Sequence, residues 1–210
     1  KVDSTTSYTF NNVSTNHTIR ARFAINILTI TIGTTPIGLS FTVDGITYTT
    51  SQTFNWTAGV SHIITTDSIQ TGITGTRNVW NSWTNAVTRL DTVAPLVNTT
   101  YTANFTTQHY LTMVANAGGS VTPSSGWVNK AQVVTLTAIP DQKYNFNIWS
   151  GTGLGSYSGG NNPGTIRMDS SISEIASFIR KPIQIVIQSN PLGRRFLYDG
   201  LSYDTPQTRT

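Results

Sequence analysis

The sequence predicts an all-β fold: tandem small β-sandwich modules of Ig-like or β-repeat type, with incomplete modules at both chain ends. Three observations predict it. One 26-residue stretch occurs twice, and what it keeps are the residues of a hairpin. Short runs of alternating apolar and polar residues, parted by Gly, Pro and Asn, continue along the whole chain, which is the pattern of many short strands. Thr and Ser make up roughly a quarter of the chain, and only 10% of residues are charged. Thr is branched at Cβ and fits a pleated surface, so this balance suits strands with hydroxylated outer faces.

The duplicated stretch runs from Leu28 to Thr53 and returns without a gap as Ile183 to Thr208, 155 residues later. Eleven of its 26 positions are identical, among them Ile30, Ile32, Pro36, Gly38, Phe41, Asp44, Gly45 and Tyr48, which recur as Ile185, Ile187, Pro191, Gly193, Phe196, Asp199, Gly200 and Tyr203. Asp-Gly supplies the two positive-φ residues of a type I′ turn, which sets Val43 opposite Ile46 and Phe41 opposite Tyr48 on one face. In the copy, Tyr198 faces Leu201 and Phe196 faces Tyr203. A fold is kept here, and no set of reactive groups came with it.

Around this stretch the chain divides into four parts. Residues 1–25 read as the C-terminal part of a β module, with Tyr8 and Phe10 alternating in one strand and Ile19, Ala21 and Phe23 in the next. Residues 26–108 form a first complete module, with further strands expected at Phe54 to Trp56, His62 to Thr66, Arg77 to Trp83 and Thr100 to Phe105. Residues 109–179 form a second module of different wording, with strands around Tyr110 to Ala115, Val134 to Ala138, Tyr144 to Ile148 and Ala176 to Phe178. A long loop is expected from Ser150 to Pro163. Residues 180–210 begin a further module. An Ala-x-Phe signature closes three parts, at Ala21-Phe23, Ala103-Phe105 and Ala176-Phe178, the first and last again 155 residues apart.

Two motifs carry a resemblance to known families. Ser189-Asn190-Pro191-x-Gly193-x-x-Phe196-x-Tyr198-Asp199-Gly200, followed by Thr205-Pro206, resembles PEGA-type modules of bacterial surface proteins. Val134-x-Leu136-x-Ala138-x-Pro140, then Tyr144-x-Phe146-x-x-Trp149-x-Gly151, is similar to divergent internalin-type B-repeats of bacterial extracellular proteins, with Lys143 where that pattern commonly has glycine. The resemblance implies small β modules used as spacers, adhesin stalks or envelope components, at the cell surface or outside the cell, and implies no catalytic residues.

The chemistry-bearing residues are sparse. Glycoside hydrolysis needs two carboxylates at a set separation, and the only Glu is Glu174, while Asp44 and Asp199 are turn residues. His17, His62 and His109 fall in different parts without ligand spacing, and there is no Cys, so no metal or cofactor is expected. The glycines from Gly151 to Gly160 lack the helix and the Lys-Ser or Lys-Thr of a phosphate loop. The net charge of +4 is spread along the chain, which gives nucleic acid no groove, and no apolar run reaches membrane-spanning length. An enzyme is not expected.

What remains is surface. The segments at the two ends offer apolar strand faces for self-association: Tyr8, Phe10, Ile19, Ala21 and Phe23 at the head, and Ile185, Ile187, Phe196, Tyr198, Leu201 and Tyr203 at the tail. Pairing of the tail of one subunit with the head of the next makes a contact that does not close on itself and so builds a fibre; a longer continuous repeat chain is the other reading of the same phase. Structural scaffolding of this kind is the expected function. A carbohydrate-binding module of a secreted enzyme, or an adhesin, is the alternative, with surface glycans as partners and Trp127, Trp149 and Tyr157 as the stacking candidates. Sequons at Asn12, Asn16, Asn55, Asn98 and Asn104 are as many as composition alone would give, and they mark possible sites of N-glycosylation.

Overall fold

A computed structural model describes residues 9, 11–16, 18, 20 and 24–209. Every regular element among them is a strand. The head strands expected at Tyr8, Phe10, Ile19, Ala21 and Phe23 lie outside the described residues.

The first module is laid out as β1 (Ile27–Thr35), β2 (Phe41–Val43), β3 (Ile46–Tyr48), β4 (Gln52–Thr57), β5 (His62–Thr65), β6 (Ile69–Thr71), β7 (Thr76–Trp83) and β8 (Asp91–Val93). It ends in the long β9 (Thr99–Ala115). The hairpin falls where its Asp-Gly places it. Asp44 and Gly45 have φ of 49° and 83°, and β2 pairs β3 with Phe41 opposite Tyr48 and Val43 opposite Ile46. β5 then pairs the other edge of β2, and β8 pairs β5. Gln70 ties this small sheet down, accepting from the Ser40 amide at 2.7 Å and donating to the Ser40 carbonyl at 2.8 Å.

Beyond β9 come β10 (Gly119–Thr122), β11 (Gly126–Asn129), β12 (Val133–Pro140), β13 (Tyr144–Thr152), β14 (Gly164–Arg167) and β15 (Ile172–Arg180). The tail holds β16 (Ile185–Ile187), β17 (Phe196–Tyr198), β18 (Leu201–Tyr203) and β19 (Gln207–Arg209). The expected loop is shorter than Ser150 to Pro163, because β13 runs on to Thr152.

β9 organises both halves. Along it, alternate side chains point inward: Tyr101, Ala103 and Phe105 enter a first core with Ile30, Ile32, Phe41, Ile64 and Trp83. Leu111 and Met113 enter a second core with Leu136, Trp149, Ile166 and Met168. Between the two, on the same inward face, stand Thr107 and His109. They meet polar partners from β7: the Thr107 hydroxyl donates to Asn78 Oδ1 at 2.9 Å, and Thr76 Oγ1 lies 3.1 Å from His109 Nδ1. A polar seam thus separates two apolar clusters that share one strand.

The registers show how neighbours change along β9. A strand residue has two edges, and each of three positions is paired on both. Ala103 meets Thr34 of β1 and Trp83 of β7; His109 meets Thr76 of β7 and Val128 of β11; Leu111 meets Gly126 of β11 and Ile172 of β15. One edge therefore passes from β7 to β15 and the other from β1 to β11. The parallel neighbours, β1 and β15, lie on opposite edges and at opposite ends. The sequence divides the chain between residues 108 and 109, which is the middle of this uninterrupted strand.

The tail repeats the hairpin in detail. Asp199 and Gly200 have φ of 51° and 73°, and Gly193 has φ 84° where Gly38 has 89°. Phe196 is opposite Tyr203 and Tyr198 opposite Leu201. Ile187 is opposite Gln207, as Ile32 is opposite Gln52. The Phe196 and Tyr203 rings lie 5.9 Å apart at 32°, against 5.7 Å and 28° for Phe41 and Tyr48. Burial does not repeat: Ile30 is 0% exposed, whereas Ile185 is 56% exposed. The missing core accounts for this: Ile30 faces a cluster with Ile64, Trp83 and Tyr101 from β5, β7 and β9, strands without a counterpart among the described residues of the tail, where β16 is paired with β19 alone.

Candidate functional site

Four groups of side chains are candidates, and the structure sorts them. The first is the hairpin turn. Asp44 Oδ1 accepts from the Ile63 amide at 2.8 Å, and Oδ2 lies 2.7 Å from His62 Nδ1. The His62 ring in turn stacks on Trp56, centroid to centroid 3.7 Å at 10°. Burial works to raise the Asp44 pKa, but the His62 hydrogen bond, the Ile63 amide and the His62 charge outweigh it and hold the carboxyl below its ordinary value. This Trp-His-Asp line docks the turn onto β5. Its ring face is occupied and its carboxylate is paired, so it fixes architecture.

The second group surrounds Glu174. Its carboxyl is 0% exposed, on the inward face of β15. Oε1 accepts from the Tyr157 amide at 2.7 Å, and Oε2 has no protein partner. Burial pushes its pKa up, against a smaller opposing effect of the Tyr157 amide. The carboxyl is sealed from solvent beneath the segment that carries Tyr157. Its chemistry is to hold the 153–159 loop to the core.

The third group is the histidines. His17 lies outside the described residues, and His62 and His109 serve the hairpin and the polar seam. Among the described residues no cluster of three His, Asp or Glu is placed to hold a metal ion. His109 is buried with Nε2 unpartnered, and burial, with the Lys130 charge, lowers its pKa against a smaller upward pull from Asp169.

The fourth group is the aromatic stacking candidates, and here the expectation for Trp149 is corrected. Trp149 is 0% exposed, so it has no face to offer a sugar; it is the centre of the second core, flanked by Phe146 at 5.7 Å. Tyr157 is half-buried against the same core, and its hydroxyl accepts from the Asn161 amide at 3.1 Å, closing the loop on itself. Gly159 and Gly164 leave the room its ring occupies. Trp127 does reach the surface, at 36% exposure, on the strand β11 that its turn-rich wording concealed.

Trp127 is part of an assembly that sequence reasoning missed. It lies opposite Tyr110 in the β11–β9 register, with ring centroids 5.2 Å apart at 75°. The Arg77 guanidinium sits 4.4 Å over the indole and donates through Nε to Gln108 Oε1 at 2.8 Å. Arg77, Gln108, Tyr110 and Trp127 all occupy outward positions of strands that pair with or belong to β9. The alternation of β9, once it is read as one strand through residue 108, is the signal that would have brought them together.

The sequon asparagines are at the surface at Asn12, Asn16, Asn55 and Asn98, whereas Asn104 is half-buried and donates to the Thr102 carbonyl at 3.2 Å. Asn98 Oδ1 accepts from the Thr29 amide at 2.9 Å. Of the tail contact residues, Ile185 and Leu201 are exposed, and Ile187, Phe196, Tyr198 and Tyr203 are half-buried.

The fold and these groups define a protein of small all-β modules joined through a shared strand. Comparison with known families adds a class for one part of it: residues 109–182 match the model of the divergent InlB B-repeat domain, about a third of the chain. No curated protein and no solved structure was found to match. The matched stretch contains the second half of β9, the second core and Glu174, and it begins inside β9.

Proposed function

We propose that this chain is a non-enzymatic structural protein of the bacterial cell surface, whose tandem β modules build an extracellular stalk or filament. The observation that carries this reading is β9. Two hydrophobic cores hang from one 17-residue strand with no linker between them, so the joint resists bending as a sheet does. The B-repeat match of residues 109–182 supports a surface location, because that family is associated with bacterial surface proteins. The geometrically faithful copy of the hairpin supports tandem extension with a 155-residue period.

In its sharper form the reading has subunits joined by strand addition at the tail. The first copy defines what such an addition supplies: a parallel strand like Thr99–Asn104 against Ile30 to Thr35, and a strand like β5 against β2. Ile185, exposed where Ile30 is covered, is a position that gains cover from it.

Small-angle scattering and analytical ultracentrifugation of the chain test both forms. An elongated particle with a rigid two-module profile is expected, with concentration-dependent association that Ile185→Lys weakens. A compact or freely hinged particle overturns the stalk; an elongated strict monomer overturns only the strand addition.

A further inference from the structure

The edge change along β9 leaves a groove of about 320 Å³ on the outer face of the sheet. β7 leaves the edge at Thr76, opposite His109, and β15 takes it up at Ile172, opposite Leu111. Tyr110 stands between them, its amide donating to the Gly75 carbonyl at 2.9 Å. The two strands abut so closely that a Cβ on Gly75 would come 2.6 Å from Ser171 Cβ. The side chains rising from this junction are short, so the space above Tyr110 stays open.

Tyr110 and Thr112 come from β9, Ser173 from β15, Thr152 from the end of β13, and Thr74 and Ser171 from the adjoining turns. None of the nine lining residues is charged. Hydroxyls both donate and accept, and an aromatic ring offers an apolar face to C–H groups. A lining of that kind, with no ionic partner for a charged molecule, matches a sugar ring, which presents hydroxyls around its rim and C–H bonds on its faces. A peptide strand would need free backbone edge, and here both edges of β9 are already paired. The groove's volume is at the small end of ligand sites, ~300–1,000 Å³.

The ring is also held in place before any ligand arrives. Trp127 and Tyr110 meet in a T-shaped contact, Arg77 covers the indole, and Gln108 anchors Arg77. Holding the ring rigid removes an ordering cost on binding. We propose that this junction groove binds a neutral saccharide, with Tyr110 as the stacking ring and the hydroxyls of Thr112 and Ser173 among its polar contacts. The inference stands independently of the stalk reading, and it moves the glycan site away from Trp149 and Tyr157.

The test is titration of the 210-residue chain with neutral hexasaccharides of cello-, chito-, xylo-, manno- and malto- type, read by amide chemical shifts, with a chondroitin sulfate hexasaccharide as the charged arm. Shifts confined to residues 74–75, 110–112, 152–153 and 171–173 are expected with at least one neutral sugar. Ser173→Arg, which sets a long cation over the groove, is expected to lower affinity at least about tenfold, and Thr112→Val, close in shape but without the hydroxyl, several-fold. The proposal is overturned if no neutral sugar shifts those amides or if only the sulfated sugar does. It is overturned equally if both variants, folded by their circular dichroism, bind as the parent does.

Discussion

Glu174 occupies the space that a side chain at Gly151 would need. The two residues are opposite one another in the β13–β15 pair, and a Cβ on Gly151 would collide with Glu174 Oε1 and stand 2.5 Å from the Tyr157 carbonyl oxygen. The absent side chain of one residue and the buried carboxyl of the other are a single packing solution. They anchor the loop that carries Tyr157.

Gly151→Ala is therefore expected to lower the stability of the second module by roughly 1–3 kcal/mol, as overpacking of a well-filled site does. Gly126, which has nothing within 4 Å of its ideal Cβ position, is the control. Gly126→Ala is expected to change the midpoint of chemical denaturation little, and equal effects of the two would contradict the packing account.

Glu174 sets a pH dependence of definite sign. Its pKa is raised in the fold because burial disfavours the carboxylate, so the folded state holds the proton more tightly than the unfolded chain does. The stability it contributes is fully present below the ordinary carboxyl value and is lost as pH rises through the raised one. Glu174→Gln is expected to remove that loss and to raise the melting temperature at pH 8 relative to the parent. A parent whose melting is indifferent to pH between 5 and 8, in the absence of other titration, would count against it.

His109 acts in the opposite direction. Burial lowers its pKa, so the unfolded chain takes up a proton first, and stability falls as pH drops below the ordinary imidazole value through the lowered one. His109→Leu is expected to cost about 1 kcal/mol at pH 8 through the lost Thr76 bond and to abolish the decline on acidification. Because the Glu174 and His109 trends oppose one another, melting curves of the two single variants and the double variant across pH 5–8 are needed to separate them.

Asp44 is expected to show a sharp contrast between two substitutions. Asn tolerates the left-handed φ of 49° and keeps an acceptor for the Ile63 amide, losing only the charge beside His62. Alanine loses both bonds and strains the turn, at a cost of roughly 2 kcal/mol. The Asp44 contribution is lost as pH falls through its lowered pKa, so the parent and Asp44→Ala are expected to converge in stability under acid; parallel curves there would refute the role assigned to the pair.

How much of this was legible depends on the range of the interactions. The hairpin was readable to the residue, because a type I′ turn is specified by two adjacent residues and the pairing of Phe41 with Tyr48 follows from it. Trp149 stands both in the B-repeat-like motif and among the stacking candidates, and burial decides its role, since its position on β13 points inward into the core that holds Phe146 and Leu136. Short strands without apolar alternation, such as Gly126–Asn129, were missed because their pairing comes from β9 and not from their own wording. The division at residues 108 and 109 falls inside β9, and it parts the two cores, whose members each lie on their own side of it. Thr107 and His109 interrupt the apolar alternation there, while the backbone continues through them, paired on both edges by other strands. Tyr110 could be placed beside Arg77 and Trp127 only once those edges were known.

The shared strand also bears on how such a chain can be cut and copied. A break between residues 108 and 109 would leave the members of each core together, since every residue of the first precedes it and every residue of the second follows it; the family match begins at that same point. What such a cut destroys is the backbone ladder that β7 and β11 build across it. The uninterrupted strand thus contributes no interior of its own but a set orientation between two interiors, and a copied interval that spans both carries that orientation with it.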